Sequence, residues 1–417
     1  MKKTLIRLNM KTKGTVCCFV LLLFCVLAFP ARELPAKKTP PPGQAENVVF
    51  SDKPLKGRVT VEAQEKLRIR SDALGKDTYF AIDRYALSPL DENVYLLDAK
   101  DFALHVFDAA GKHVRVIQFP KGPGPGEFGG PIEEAYPRKE GLWVKSGGQI
   151  ALCDDQGKVI KKNGYDHVNR LQAISAESLL VIKDELKPPP KKTANLNRAI
   201  PNTQHFELQN WEGQSLIRYF SSDRTGAWGN FWIGNIKDIR ITPLILFDYD
   251  SRDQKLVYAI SDDYALTVAD LSGKTLQTIR RKFKSQKITR KMRQTIMASS
   301  FFQGKIEIMK QMGLDFEKMM EMNQTWGHLN PILKIQFLVN GLICVFVLKD
   351  VQGGFEADIF DRQGRWLTTL QFPEAVQKLS EPSLQGNRLA GLGKDEETEE
   401  LFFLEYTIKN IPPELIK

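Results

Sequence analysis

Short apolar runs alternate with polar turns along most of the chain, in a phrase that returns. One apolar run ends in an acidic or small polar residue, and a second leads a few residues later into Asp-x-x-Gly-Lys/Arg. Asn93–Asp98 precedes Val106–Lys112, Gly141–Ser146 precedes Ala151–Lys158, Leu256–Asp262 precedes Val268–Lys274, and Cys344–Asp350 precedes Asp358–Arg365. Apolar runs of this length predict strands, and Asp-x-x-Gly predicts the tight turn that joins two of them, Asp capping it and Gly taking the left-handed position. One more strand flanks each phrase, Tyr85–Ser88 before and Val114–Ile117 after in the first unit. The unit is then a four-stranded antiparallel meander at the scale of a propeller blade, roughly 45–60 residues.

The turn positions count the units. Asp108 and Asp154 lie 46 residues apart, Asp154 and the degenerate turn Asn210-Trp211-Glu212-Gly213 lie 56 apart, Asn210 and Asp270 lie 60 apart, and Asp270 and Asp361 lie 91 apart. The last interval reads as one unit plus an insertion. Over Ser285–Gln324 strand alternation gives way to Met292, Ile296, Met297, Phe301, Ile308, Met309, Met312, Phe316, Met319 and Met320, the pattern of two amphipathic helices. A sixth, shorter unit at Asn387–Leu392 and Glu400–Tyr406 lacks an outer strand. Gly57–Ala63 is expected to supply it and close the ring, which removes an exposed sheet edge. The predicted fold is therefore all-β: a six-bladed β-propeller of four-stranded antiparallel blades, with a helical insertion between blades 4 and 5. The expected layout is a signal peptide or N-terminal anchor over 1–31, a Pro/Lys-rich linker over 32–50, the propeller over 51–410 with its insertion at 285–327, and a tail over 411–417.

Charge changes the picture at one end only. The net charge is +9, yet residues 1–38 hold eight Lys and Arg against Glu33 alone, leaving +2 for the rest. A body so near neutrality has no whole-molecule field for nucleic acid. The basic stretch to Lys13 is followed by apolar Val16–Ala28, short for a bilayer span and long enough for a signal peptide. Export to the periplasm or the extracellular space is the expectation, with an uncleaved membrane tether as the alternative; bulky Phe24 argues against lipidation of Cys25. Three of the five cysteines fall in this segment. Cys153 and Cys344 sit in predicted strands as small hydrophobes, and no Cys/His spacing suggests zinc.

Between the first two units stands Gly122-Pro123-Gly124-Pro125-Gly126-Glu127-Phe128-Gly129-Gly130-Pro131. With Asn-Val-Tyr-Leu-Leu-Asp before it and Asp-x-x-Gly-Lys on both sides, the chain resembles the NHL-repeat family and its six-bladed propeller relatives. The likeness is good over residues 80–160 and partial over 255–280 and 340–372. It implies the fold and little about activity, because such propellers include scaffolds, binding modules and a few enzymes.

Candidate chemistry is sparse. The glycine-rich loop follows a strand as a phosphate cradle would, but no helix and no Lys-Ser/Thr follow, so an inter-blade connection is the favoured reading. Asp98, Asp184, Asp262 and Asp350 recur at one blade position, as turn caps do more often than metal ligands. The five histidines do not cluster, and no nucleophile or paired-carboxylate motif is present. Propeller lactonases and amidating lyases gather metal ligands from several blades, which spacing in one chain does not reveal.

Topology is more informative. Second-to-third strand connections and blade-to-blade connections emerge on one face, and the Asp-x-x-Gly turns on the other. The long excursions at Leu186–Thr203, Ser221–Asn235 and Ser285–Gly327, and the glycine-rich loop, all belong to the first face. Function concentrates on long loops held by a rigid scaffold. Trp228, Trp232 and Trp326 are the candidate ligand contacts, with Arg84 and Arg240 as candidate charges at inner-strand entrances. The tryptophans would equally serve to glue the insertions to the blades. The expected function is a monomeric exported binding or scaffold module, with no cofactor, that engages a protein, peptide or glycan on this face. The alternative is a metal-dependent enzyme, lactonase- or lyase-like, with its site at the channel mouth.

Overall fold

The computed structural model describes residues 48–415 apart from 76–79, 89–90, 166–167, 187–200, 226–244, 262, 284–285, 299–302, 304–305, 308–309, 312–328, 350–353 and 396. Six antiparallel sheets follow one another in chain order around a ring. Blade 1 is built from Arg84–Leu87, Val94–Asp98, Ala103–Phe107 and His113–Gln118. Blade 2 uses Ile132–Arg138, Gly141–Ser146, Gln149–Cys153 and Val159–Gly164. Blade 3 uses Val168–Ser175, Ser178–Leu186, Pro201–Asn210 and Ser215–Thr225. Blade 4 uses Ile245–Asp250, Lys255–Ile260, Ala265–Asp270 and Thr275–Arg281. Blade 5 uses Ile332–Phe337, Ile343–Leu348, Phe355–Phe360 and Trp366–Gln371. Blade 6 takes Ser380–Gln385, Arg388–Lys394 and Leu401–Lys409 from the end of the chain.

Its fourth strand comes from the other end, but not from Gly57–Ala63. Three N-terminal strands run along the rim: β1 (Val48–Ser51), β2 (Arg58–Thr60) and β3 (Glu62–Ile69). β1 adds in parallel to the outer strand of blade 4, and β2 in parallel to that of blade 5. β3 alone completes blade 6, antiparallel to Leu401–Lys409, and shares only Glu62 and Ala63 with the expected Gly57–Ala63. The apolar alternation Val59-Val61-Ala63 marked a stretch largely too early because β3 is an outer strand. Most of its side chains face water, and only Leu67 and Ile69 are buried.

The core is divided among the blade interfaces. Tyr95, Leu104 and Val106 of blade 1 pack with Leu142, Val144 and Ala151 of blade 2. The other five interfaces hold equivalent apolar clusters. The insertion between blades 4 and 5 contains a helix, α1 (Arg290–Met297), whose Met292 is buried with Ile288 in the interface of blades 5 and 6. At the other end of the chain Ile411 and Leu415 are buried in the same cluster.

The turn phrase locks neighbouring blades together. Asp108 Oδ1 accepts the N–H groups of Ala110 and Lys112, Asp154 Oδ1 those of Gln156 and Lys158, and Asp361 Oδ1 those of Gln363 and Arg365. In the degenerate third turn Asn210 Oδ1 takes the Gln214 N–H in the same way. The glycine that follows has φ between +76° and +87° in all five turns. A Cβ there would also strike the preceding blade: Leu67 Cδ1 at 2.3 Å from Gly111, the Gln118 carbonyl oxygen at 2.8 Å from Gly157, and Ile279 Cγ1 at 2.8 Å from Gly364. Each turn therefore seats on the outer strand of the blade before it. Gly157→Ala is expected to lower stability by about 2–4 kcal/mol, since it adds left-handed strain to a backbone collision. Urea unfolding measures this, and a loss below about 1 kcal/mol would show that the contact can relax.

Candidate functional site

The features singled out in the sequence divide in the structure. The glycine-rich loop is self-contained rather than open to an anion. Glu127 turns its carboxylate onto the Gly124 N–H at 2.9 Å, the Gly122 N–H donates to the Phe128 carbonyl, and Phe128 is fully buried between blades 1 and 2. Lys162 of blade 2 donates to the Glu127 carbonyl at 2.6 Å. Asp98 is a buried cap that accepts the N–H groups of Ala81 and Asp101. Asp262 and Asp350 lie outside the described residues. Cys153 and Cys344 are free and buried, and burial pushes the Cys153 thiol up to about 12. The His105 and His113 rings lie 5.8 Å apart, tilted to one another, beside Phe80 and Phe107, whereas His205 is held between Glu185 and Ser221. Trp228, Trp232, Trp326 and Arg240 lie outside the described residues. Of the five candidate contacts the structure places Arg84, the first residue of the inner strand of blade 1.

Arg84 belongs to a larger arrangement. Every inner strand brings a charged side chain into the circle within its first four residues, at the end where the blade-to-blade connections arrive. In ring order these are Arg84, Glu134, Arg170, Asp248, Lys334 and Glu381. The signs alternate without a break, three cations against three anions, and all six residues are half-buried. The neighbouring acid Glu133 is occupied separately, by Lys145 at 2.8 Å.

Local backbone irregularities sit at these positions. The inner strand slips register between Ile132 and Glu134 in blade 2, between Val168 and Arg170 in blade 3, and between Ile332 and Lys334 in blade 5. In blade 6 the slip spans Glu381, whose φ is +51°. A bulge re-aims a side chain, and a non-glycine residue in the left-handed region is unusual enough to mark a functional constraint.

Neighbouring members are joined unequally. Arg84 and Glu381 form an ion pair across blades 1 and 6, and the Tyr85 hydroxyl beside them donates to the Glu381 carbonyl at 2.6 Å. Asp248 accepts the Phe337 N–H of blade 5 at 2.7 Å. Burial holds the Asp248 carboxyl above its ordinary range, against the Phe337 and Tyr249 N–H groups and the Lys334 and Arg170 charges. Tyr136, next along from Glu134, accepts the Ala173 N–H of blade 3 at 3.0 Å, and burial lifts its hydroxyl to about 12. Arg170 lies over the Phe247 ring at 4.8 Å. Burial draws its pKa down, and Glu134 and Asp248 oppose that only from a distance.

Comparison with known proteins leaves the reading to the geometry. No family model and no curated protein matches the chain. Solved structures do. A protein from Bacteroides fragilis thought to be exported is 10% identical, with 87% of this chain and 100% of that chain covered at a TM-score of 0.48. A member of the DUF4221 family from Bacteroides vulgatus is 13% identical, with 84% and 99% covered at 0.47. A calcium-binding regucalcin from Agrobacterium tumefaciens is 10% identical, with 87% and 96% covered at 0.36.

Sequence reasoning found one member of the ring and missed five. A partial signal was present, since the inner strands of blades 3, 4 and 5 are apolar runs interrupted early by a charge. It becomes visible only once the blades are aligned, because successive members lie some 40–90 residues apart. Among the described residues no group of three His, Cys, Asp or Glu side chains could hold a metal ion. No helix of the described residues is long and apolar enough to cross a membrane.

Proposed function

We propose that the protein is an exported binding or scaffold module whose blades are of the NHL type. It acts as a monomer and engages a protein, peptide or glycan at the channel mouth on the loop-bearing face, without nucleic acid. The observation that carries this reading is the ring of six alternating charges, one from each inner strand, four of them at register slips, at the end of the blades where the blade-to-blade connections arrive. Each carboxylate in it is separated from the next by a cation. That order suits recognition of charged and hydrogen-bonding groups, and it works against gathering several carboxylates on one cation. The basic and apolar N-terminus supports export, with a retained membrane tether as the variant form.

Peptide and glycan arrays probed with the purified chain, and with a variant lacking 285–327, test this. A ligand bound by the intact chain and lost from the shortened one supports the reading, provided both unfold in one transition. Undiminished binding after removal of both 187–200 and 285–327 would exclude the loop-bearing face.

A further inference from the structure

One cation of the ring has no acceptor among the described residues. Arg84 has Glu381, and Asp248 has the Phe337 N–H. Arg170 is different. Among the described residues its guanidinium has no hydrogen-bond acceptor and no carboxylate within ion-pair distance; its contact is the face of Phe247 at 4.8 Å. A guanidinium offers five N–H donors in a rigid planar fork and stays charged. None of its nitrogens is shut off from water, so a ligand that displaces that water must bring acceptors in its place. The surroundings are also prepared. The strand slips register between Val168 and Arg170, and the Phe247 ring supports one face of the guanidinium plane, which leaves the fork edge for a ligand.

We infer that Arg170 is the anchor for a carboxylate group of the ligand, taken up in the bidentate geometry that matches a planar fork. The inference rests on the binding reading above and adds the chemistry of recognition. Glu134 and Asp248 flank Arg170 closely enough to be felt electrostatically, though not to pair with it. Their field repels a dianion more strongly than a monoanion, so the site selects carboxylate over phosphate. A carboxylate has two common sources, a peptide C-terminus and a small organic acid.

The experiment measures thermal stability and calorimetric binding for the full chain with four probes. These are an N-acetylated alanine tetrapeptide with a free C-terminus, its C-terminal amide, acetate, and inorganic phosphate. The variants are Arg170→Lys and Arg170→Met. Carboxylate probes are expected to bind and raise the Tm of the native chain, while the amide and phosphate do not. Saturation by the peptide alone identifies a C-terminus as the source, and saturation by acetate as well identifies small acids. Arg170→Lys is expected to weaken binding about tenfold by losing the fork geometry. Arg170→Met is expected to abolish it with no loss of ligand-free Tm, because a well-packed apolar side chain replaces an uncompensated charge.

That last result separates a ligand anchor from a structural clasp, whose removal lowers the ligand-free Tm. A marked fall in ligand-free Tm for Arg170→Met, equal responses to phosphate and carboxylate, or unchanged carboxylate binding in Arg170→Met would each overturn the inference. If array ligands still bind Arg170→Met and still require 285–327, the Arg170 assignment falls while the binding module stands.

Discussion

A chain that begins at Arg70 is expected not to fold, whereas one that begins at Gly57 is expected to fold and melt cooperatively. The difference lies in β3. Its seven residue pairs with Leu401–Lys409 complete blade 6. Leu67 and Ile69 contribute to the interface of blades 6 and 1, each worth about 1.5–3 kcal/mol when fully buried. Lys66 reaches Glu405, a carboxylate with no exposure that Arg388 also grips at 2.7 Å, and these bonds hold its pKa low against burial. Removing β3 takes away one partner of this buried carboxylate, exposes the edge of Leu401–Lys409 and leaves the Gly111 turn with nothing to seat on. The summed loss approaches the whole net stability of an ordinary domain, about 5–15 kcal/mol. β1 and β2, by contrast, lie outside complete four-stranded blades, and Phe50 and Leu55 are largely exposed. Circular dichroism and urea melts of the two shortened chains decide the matter. A cooperative transition in the chain lacking β3 would refute it.

The second large effect concerns the interface of blades 4 and 5. Asp358 is buried, paired with Arg281, and accepts the Tyr264 hydroxyl at 2.6 Å and the Thr369 hydroxyl at 2.7 Å. Arg281 in turn lies 4.0 Å over the Trp366 ring. Arg281→Met is expected to cost about 3–5 kcal/mol, because it strands a buried carboxylate. Adding Asp358→Asn is expected to recover much of that, since the amide carries no charge, its oxygen still accepts one hydroxyl and its NH2 donates to the oxygen of the other. The deficit also depends on pH. Burial already holds the Asp358 carboxyl above its ordinary range in spite of Arg281, and loss of the guanidinium raises it further. The folded variant then keeps a proton that the unfolded chain releases above its ordinary value, about 3.9. Stability therefore rises as pH falls through that window, and the deficit narrows from neutral pH toward about pH 4. A deficit that does not change with pH, measured by urea unfolding at several values, would show that the loss comes from packing on Trp366 instead.

Much of the fold was legible because the feature that joins blades is written locally. Asp108 and Gly111, or Asp361 and Gly364, satisfy their turn within four residues, so the pattern appears in the sequence wherever it occurs in space. Even Asn210 in the degenerate third turn performs the same capping. β3 was misplaced for the opposite reason. Its partners lie more than 300 residues away, and its charged side chains leave no apolar period: Glu65 and Arg68 pair with each other, and Lys66 reaches Glu405. The charge ring was illegible on the same ground. Arg170 and Asp248 become neighbours only when blades 3 and 4 pack side by side, and nothing in their spacing records it. The aromatic candidates Trp228, Trp232 and Trp326 came from loop length alone.

The pairing of Lys66 with Glu405 spans 339 residues. A ribosome working at ~5–20 residues per second takes about 20–70 s between those two lysine and glutamate codons. For all of that time the strand made first has no partner, and the ring has no means of shutting. Folding of the last blade is thus deferred until Leu401–Lys409 has been made, and high contact order makes the final step slow.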